Sequence, residues 1–244
     1  MSLDAIHFVF RNKIASSEAI SSFRKFNPYS KYVVICDGGD DYSEICSLHG
    51  CEYLHFNTNL GYPQPIYGHR KSQILEYLTR VHHAVSMCIS PHIIIMEDDV
   101  RIISDIKIED SDEMLVTKNG LKNIIHPYVI KFIVENSNIS GSRDNYYAMG
   151  GGSIFRRNTF INSYEKFFTF ISEHFDHLQS IYPTIGWTDC IMSLLFLFAG
   201  KNHKINSRLH ELNPLGEENY EKLEVCLKKD YSILHHFKNY QRNI

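Results

Sequence analysis

The chain has 244 residues, of which 43% are hydrophobic, and its 25 basic and 28 acidic side chains leave a formal net charge of −3. This composition is typical of a globular protein that buries a sizeable core without needing disulfides. The near-neutral charge and the lack of a Lys/Arg block argue against a protein that binds nucleic acid by neutralising its phosphates.

Sequence features that would attach the chain to a membrane or direct its secretion are weak. The longest apolar run, residues 191–199, is far shorter than the roughly 20 residues that cross a bilayer, and the N-terminal segment does not read as a secretion signal. The six cysteines form no Cys-x-x-Cys pair, which favours a reducing compartment. We therefore expect a cytoplasmic protein, with peripheral membrane contact still open.

Strand-like and helix-like segments alternate through the first hundred residues. The hydrophobic spacing predicts a strand at 6–10, a helix at 16–26 after a serine cap, a strand at 32–36, a helix at 42–49, a strand at 52–56, a helix at 67–87 and a strand at 92–96. Helices that connect successive strands predict an α/β fold with a mostly parallel central sheet.

The second half has a less regular pattern. Residues 105–113 are acidic and polar, as in a loop or an edge element, and residues 120–142 fit a strand or a helix equally well. The remaining predicted elements are a strand after the glycines at 150–152, an amphipathic helix at 158–180, a buried helix at 189–199 and a short strand at 231–237. Because no repeat or linker separates the two halves, we expect a single domain.

Three acids, Glu97, Asp98 and Asp99, directly follow the predicted strand at 92–96. Ligands of open α/β sheets bind beyond the carboxyl ends of the strands, so these side chains would lie where ligands bind. Three adjacent carboxylates repel each other unless a cation lies among them, and Mg²⁺ and Mn²⁺ favour oxygen ligands. A solvated acidic turn is an equally simple interpretation of the triplet alone.

Asp37 ends the second predicted strand and is followed by two glycines and two more acids. A carboxylate there can accept hydrogen bonds from a base N–H or a ribose hydroxyl, and the glycines let the backbone approach a ligand. The plainer interpretation is a turn in which Asp40 or Asp41 caps the next helix.

These features resemble the nucleotide-binding half of the GT-A fold glycosyltransferases. The resemblance rests on a strand ending in Asp37-Gly38-Gly39-Asp40, a helix containing His69-Arg70-Lys71 and a strand ending in Glu97-Asp98-Asp99. It implies that Asp37 reads the base of a nucleotide-diphosphate sugar. It also implies that Glu97 and Asp99 hold Mn²⁺ or Mg²⁺ on the diphosphate, with Asp99 as the main ligand. Further nucleotide contacts are assigned to Arg11, Arg70, Lys71, Asp98 and Lys238.

Three segments of the second half, residues 149–157, 186–189 and 234–238, are similar to the acceptor side of the same family. The residues that the resemblance assigns there are Gly151, Gly152 and Trp187 beside the sugars, Asp189 as the general base of an inverting transfer, and His235 or His236 at the metal. Each assignment has a plainer alternative: a glycine bend, a core tryptophan, an acid at a helix terminus and structural histidines.

The sequence and its resemblance together predict one GT-A domain, with a nucleotide-sugar-binding half at 1–103 and an acceptor-binding half at 104–244. The predicted function is transfer of a hexosyl or pentosyl group from a nucleotide-diphosphate sugar to a glycan, lipid-linked or protein acceptor. One alternative is a non-catalytic nucleotide- or carbohydrate-binding module on a decayed transferase scaffold. Another is a sugar-phosphate nucleotidyltransferase, which is disfavoured because Phe10-Arg11-Asn12-Lys13, after the first strand, lacks glycine.

Overall fold

The computed structural model describes residues 2–61, 68–116, 126–137, 149–201, 203–211 and 228–235. The first half comprises β1 (Leu3–Val9), α1 (Lys13–Phe26), β2 (Tyr32–Asp37), α2 (Ser43–His49), β3 (Glu52–Phe56), α3 (Lys71–Met87) and β4 (His92–Met96). The second half comprises β5 (Arg101–Ile102), β6 (Met114–Val116), α4 (Pro127–Ser137), β7 (Ile154–Arg156), α5 (Arg157–Ile181), a 3-10 helix (Pro183–Gly186), α6 (Thr188–Phe198), β8 (Lys204–Ile205), β9 (Leu209–Glu211) and β10 (Ile233–His235).

The strands of the described residues form a seven-stranded sheet in the order β3-β2-β1-β4-β7-β6-β8 and a three-stranded sheet in the order β5-β10-β9. In the large sheet β1 to β4 are parallel, whereas β7 runs antiparallel to both β4 and β6. The predicted α/β class and mostly parallel sheet are confirmed. In the small sheet β10 pairs antiparallel with β5, which begins two residues after Asp99.

The central strands β1, β2 and β4 of the large sheet are buried on both faces, whereas the edge strands β3 and β8 are not. Along β2, Val33 and Ile35 belong to the core formed with α3, α5 and α6, while Val34 and Cys36 belong to the core formed with α1, α2 and the small sheet. Alternate side chains of a strand point to opposite faces, so a strand covered on both sides reads as one continuous apolar run. This double coverage explains why β4 has the bounds that the sequence predicts.

Helix α1 begins at Lys13 and not at Ser16, so the predicted serine cap is wrong. Asn12 is the N-cap, and its side-chain oxygen accepts a hydrogen bond from the backbone N–H of Ala15 at 3.2 Å. An amide oxygen satisfies an otherwise unpaired N–H of the first turn as well as a serine does. Ser16 lies inside the helix, where its hydroxyl is available for contacts elsewhere.

The ambiguous segment at 120–142 contains α4 over Pro127–Ser137, and the rest of that segment lies outside the described residues. No helix in the described part of the chain is long and apolar enough to span a bilayer.

Candidate functional site

A cleft of about 320 Å³ opens at the carboxyl ends of β1, β2 and β4, the edge of a parallel sheet where ligands bind. The strand side contributes Phe8, Asp37, Ile95, Met96, Glu97, Asp98 and Asp99. The facing wall is formed by Leu60, Gly61, His69, Tyr77, Met149, Thr188 and Asp189. Both halves of the chain therefore line one cleft.

A cluster of metal-ligand types, Glu97, Asp99 and His235, lies at this cleft, with one ligand atom of each residue within 4.8 Å of the others. His235 Nε2 is 3.4 Å from Glu97 Oε2 and 3.7 Å from Asp99 Oδ1. The side chains of Asp99 and His235 are only 3% and 8% exposed, whereas that of Glu97 is 41% exposed. Two carboxylates suit Mg²⁺ or Mn²⁺, and the imidazole favours the softer Mn²⁺.

The fold brings this cluster together through a turn and a strand pairing. The backbone N–H of Val100 donates to Glu97 O at 3.0 Å, which turns the chain at the end of β4. Strand β5 then pairs with β10, with Arg101 opposite Leu234, so that the next residue, His235, lies beside Asp99. The imidazole of His235 thus lies more than half of the chain length after the two carboxylates in the sequence.

The glycine segment lies along the end of β4. Gly152 N–H donates to Ile95 O at 2.7 Å, and Ile95 N–H donates to Ser153 O at 2.9 Å. A Cβ on Gly151 would lie 2.9 Å from His235 Nε2 and 3.0 Å from the carboxyl carbon of Glu97. Only a glycine at this position lets the backbone pass so close to the cluster.

The neighbouring glycines face different groups. A Cβ on Gly150 would lie 3.3 Å from Asp189 Oδ2, which is a tight contact. The backbone of Gly150 therefore lies close to the Asp189 carboxylate. Gly152 has a φ of +83° and faces Leu209 and Ile233 of the small sheet, not the cluster. The predicted sugar-side glycines therefore have distinct surroundings.

Asp189 lines the cleft from the first turn of α6. The partial positive charge of a helix N-terminus stabilises a carboxylate there, which favours its ionised form. Trp187, the N-cap residue of the same helix, is half-buried and packs against the core; it is not among the cleft residues named above.

Asp37 is held in place by groups of the first half. Its Oδ1 accepts hydrogen bonds from Leu60 N–H at 2.9 Å and from Arg80 Nη1 at 2.5 Å. Arg80 is fully buried, and its other nitrogens bond to Glu76 Oε1 and to both oxygens of Thr58. Sequence reasoning missed Arg80, although a charged residue three positions after Tyr77 on the apolar face of a helix signals a buried partner.

Three of the basic residues that were assigned to the nucleotide, Arg11, Arg70 and Lys71, do not line the cleft. Arg11 is exposed and stacks on the Phe10 ring at 4.6 Å from its centroid. Arg70 is exposed as well, and Lys71 Nζ is 3.4 Å from Asp176 Oδ2 of α5. His236 and Lys238 lie outside the described residues.

His69, not Arg70 or Lys71, brings this segment to the cleft. Its backbone N–H donates to Gly186 O at 2.6 Å, and its carbonyl accepts from Gln179 Nε2 at 3.3 Å. Burial lowers the pKa of His69, and the nearby Asp37 opposes that shift. Its Nδ1 is buried and makes no hydrogen bond within the described part of the structure.

Phe8 and Tyr77 form an aromatic surface in the cleft, with ring centroids 5.2 Å apart and planes 28° apart. Burial raises the pKa of Tyr77, with smaller contributions from the charges of Asp189 and Glu97, so its hydroxyl stays protonated. Such a surface suits the flat face of a base or the apolar face of a sugar ring.

No protein-family model and no curated protein matches this sequence. Many solved structures match its fold, and two of them are structures of LgtC. One is galactosyltransferase LgtC in complex with donor and acceptor sugar analogues (TM-score 0.52, 12% identity), and the other is an active-site mutant of LgtC (TM-score 0.53, 11% identity). Each match covers 96% of this chain and 86% of the other. The chain therefore has the fold of the GT-A glycosyltransferases, as its sequence predicts.

Proposed function

We propose that the protein is a Mn²⁺- or Mg²⁺-dependent glycosyltransferase that uses a nucleotide-diphosphate sugar. The observation that carries this proposal is the convergence of Glu97, Asp99 and His235 at the strand-end cleft of a glycosyltransferase fold. A bound divalent cation would neutralise charge on the diphosphate leaving group. The exposed Glu97 and the buried Asp99 and His235 would hold it.

The other end of the cleft fits the nucleoside part of the donor. Asp37 is fixed by Arg80 and presents an acceptor, while the imidazole of the half-buried His69, which lines the cleft, offers a second polar contact. Phe8 and Tyr77 line the same cleft, and their rings would stack on the nucleoside. A carboxylate at this end repels phosphate, which leaves the diphosphate to the metal end.

Asp189 is the proposed general base for an inverting transfer. It lines the cleft beside Gly150, in the first turn of α6, where it would accept a proton from the acceptor hydroxyl. We further propose that residues 1–103 bind the donor and that residues 104–244 bind the acceptor, which is a glycan, a lipid-linked sugar or a protein. We also propose that the protein acts in the cytoplasm. In this arrangement Trp187, His236 and Lys238 would complete the sugar and metal sites, as the resemblance implies.

The decisive experiment is a calorimetric titration of UDP, GDP, CMP and dTDP with and without Mn²⁺. We expect one nucleotide to bind more tightly when Mn²⁺ is present, and Asp99→Asn to abolish that gain while keeping metal-free binding. Asp110→Asn, an acid-to-amide change on an exposed loop residue, is the matched control. Turnover is then measured as release of that nucleotide from its sugar donor.

Two results would overturn the proposal. Nucleotide binding that is indifferent to Mn²⁺ in the unmodified protein would remove the metal from the site. Metal-dependent nucleotide binding without turnover of any donor sugar would indicate the non-catalytic binding module.

A further inference from the structure

A chain of hydrogen bonds reaches the middle acid of the Glu97-Asp98-Asp99 triplet from the interior of the protein. Tyr32 Oη is 2.9 Å from His7 Nδ1, and His7 Nε2 is 3.2 Å from Asp98 Oδ1. The same carboxylate oxygen accepts a hydrogen bond from Ser16 Oγ at 2.6 Å. Tyr32, His7 and Ser16 are all fully buried.

The direction of donation along this chain follows from the chemistry of its members. A carboxylate oxygen only accepts hydrogen bonds, so His7 Nε2 is the donor to Asp98. Burial raises the pKa of Tyr32 well above its usual range, so its hydroxyl keeps a proton that it can donate to His7 Nδ1. Both bonds to Asp98 Oδ1 therefore come from donors whose own positions are fixed by packing.

The backbone of Asp98 is anchored as well. Its carbonyl accepts a hydrogen bond from Arg101 Nη1 at 2.8 Å, and Arg101 Nη2 donates to Glu18 Oε2 of α1 at 2.7 Å. Asp98 is thus tied to β1 and α1 by its side chain and by its carbonyl. The flanking Glu97 and Asp99 each place a carboxylate oxygen near His235 Nε2.

We propose that His7 and Ser16 are positioning residues of the metal centre, acting through Asp98. This inference rests on the proposed function, since it takes Glu97, Asp99 and His235 as the metal site. The chain fixes the backbone of the triplet before any cation arrives, so that the two ligating carboxylates need little reordering when one binds. Groups that orient metal ligands in this way typically contribute about 10- to 100-fold to metal affinity.

The test measures binding of Mn²⁺ alone by electron paramagnetic resonance of the free ion. Because Phe cannot donate to Asp98, we expect His7→Phe to weaken Mn²⁺ binding about 10- to 100-fold. His7→Gln, whose amide nitrogen can donate in the place of Nε2, should recover most of that loss. Ser16→Ala, a small change inside a helix, should weaken binding to a lesser degree, and Ser21→Ala on the exposed side of α1 is its control.

Chemical unfolding of each variant separates positioning from simple loss of structure. If His7→Phe fails to fold, His7→Gln and Ser16→Ala decide the question. Unchanged Mn²⁺ affinity in folded Ser16→Ala and His7→Phe, together with loss of binding in Asp99→Asn, would overturn the positioning role and leave the proposed function intact. Absence of Mn²⁺ binding in the unmodified protein would overturn both.

Discussion

His69 lines the ligand cleft, whereas the two residues that follow it do not. Of the three consecutive residues His69, Arg70 and Lys71, the two cations point away from the cleft and only the imidazole lines it. Sequence reasoning favoured the cations because diphosphates are anionic, but the tertiary contacts of His69 with Gly186 and Gln179 decide which side chain turns inward.

We predict that His69→Ala weakens nucleoside diphosphate binding about three- to ten-fold, which corresponds to one net hydrogen bond of roughly 0.5–1.5 kcal/mol. Calorimetry without metal measures this loss, because the contact lies at the nucleoside end. The control is His83→Ala, which removes an exposed histidine from α3. Equal affinities of the two variants would exclude His69 as a ligand contact.

Asp189 carries a separate prediction about the chemical step. Replacing a general base typically lowers the rate about 100- to 10,000-fold, so Asp189→Asn should reduce kcat within that range while donor affinity stays unchanged. The asparagine keeps the size of the side chain beside Gly150. A loss of only a few-fold in a single-turnover transfer assay would show that Asp189 is not the base.

At the scale of whole elements, the sequence predicts what depends on local pattern. The strands β3 and β4 and the buried helix α6 lie where hydrophobic spacing places them, within a residue or so. The short strands β7 and β10 lie within predicted strands, whereas the other short strands, β5, β6, β8 and β9, were not predicted because their conformation depends on distant pairing partners. The antiparallel pairing of β4 with β7, which seats the glycine segment, could not be read from local sequence for the same reason.

The glycine segment at residues 150–152 lies close to the metal-ligand cluster. Gly151→Ala should lower Mn²⁺ affinity by about ten-fold or more, because its Cβ would displace His235 or Glu97 from the positions that hold the cation. Titration with Mn²⁺ measures the loss, and chemical unfolding checks that the fold survives. Gly150→Ala is the companion variant, since its added Cβ meets Asp189 at 3.3 Å and reaches His235 only at an ordinary contact distance of 3.7 Å. Normal Mn²⁺ binding by the folded Gly151→Ala variant would contradict this account.

At the scale of the molecule, the motif residues that sequence reasoning selected do converge in part. Glu97, Asp99, His235, Gly151 and Asp189 lie around one cleft. The partners of two other motif residues, Asp37 and Asp98, were missed because they lie far away in sequence: Arg80 is 43 positions from Asp37, and His7 is 91 positions from Asp98. Local patterns carry no information on such pairs.

Acid sensitivity is a property of the whole fold. Burial lowers the pKa of His203 from 6.5 to about 4, so the unfolded chain binds its proton first as the pH falls. The contribution of His203 to the free energy of unfolding is therefore fully present above about pH 6.5 and is lost as the pH falls toward about 4. The slope from this one group reaches at most about 1.4 kcal/mol per pH unit.

We expect His203→Leu to flatten the pH dependence of the unfolding free energy in this range. Urea unfolding at several pH values measures it, and His83→Leu, which alters an exposed histidine, is the control. Parallel curves for His203→Leu and the unmodified protein would assign the acid sensitivity to other groups.

The last consequence concerns the small sheet. Glu97 and His235 are 138 positions apart (235 − 97), yet one cation held between them would tie the end of β4 to β10. Such a tie works as a reversible staple across a very long loop, and at about 100 times its Kd the cation would add roughly 2.7 kcal/mol to the folded state. The amide hydrogens of β5 and β10 should therefore exchange with solvent more slowly in Mn²⁺. The concentration of Mn²⁺ would then determine how stably β10 is held against the rest of the protein.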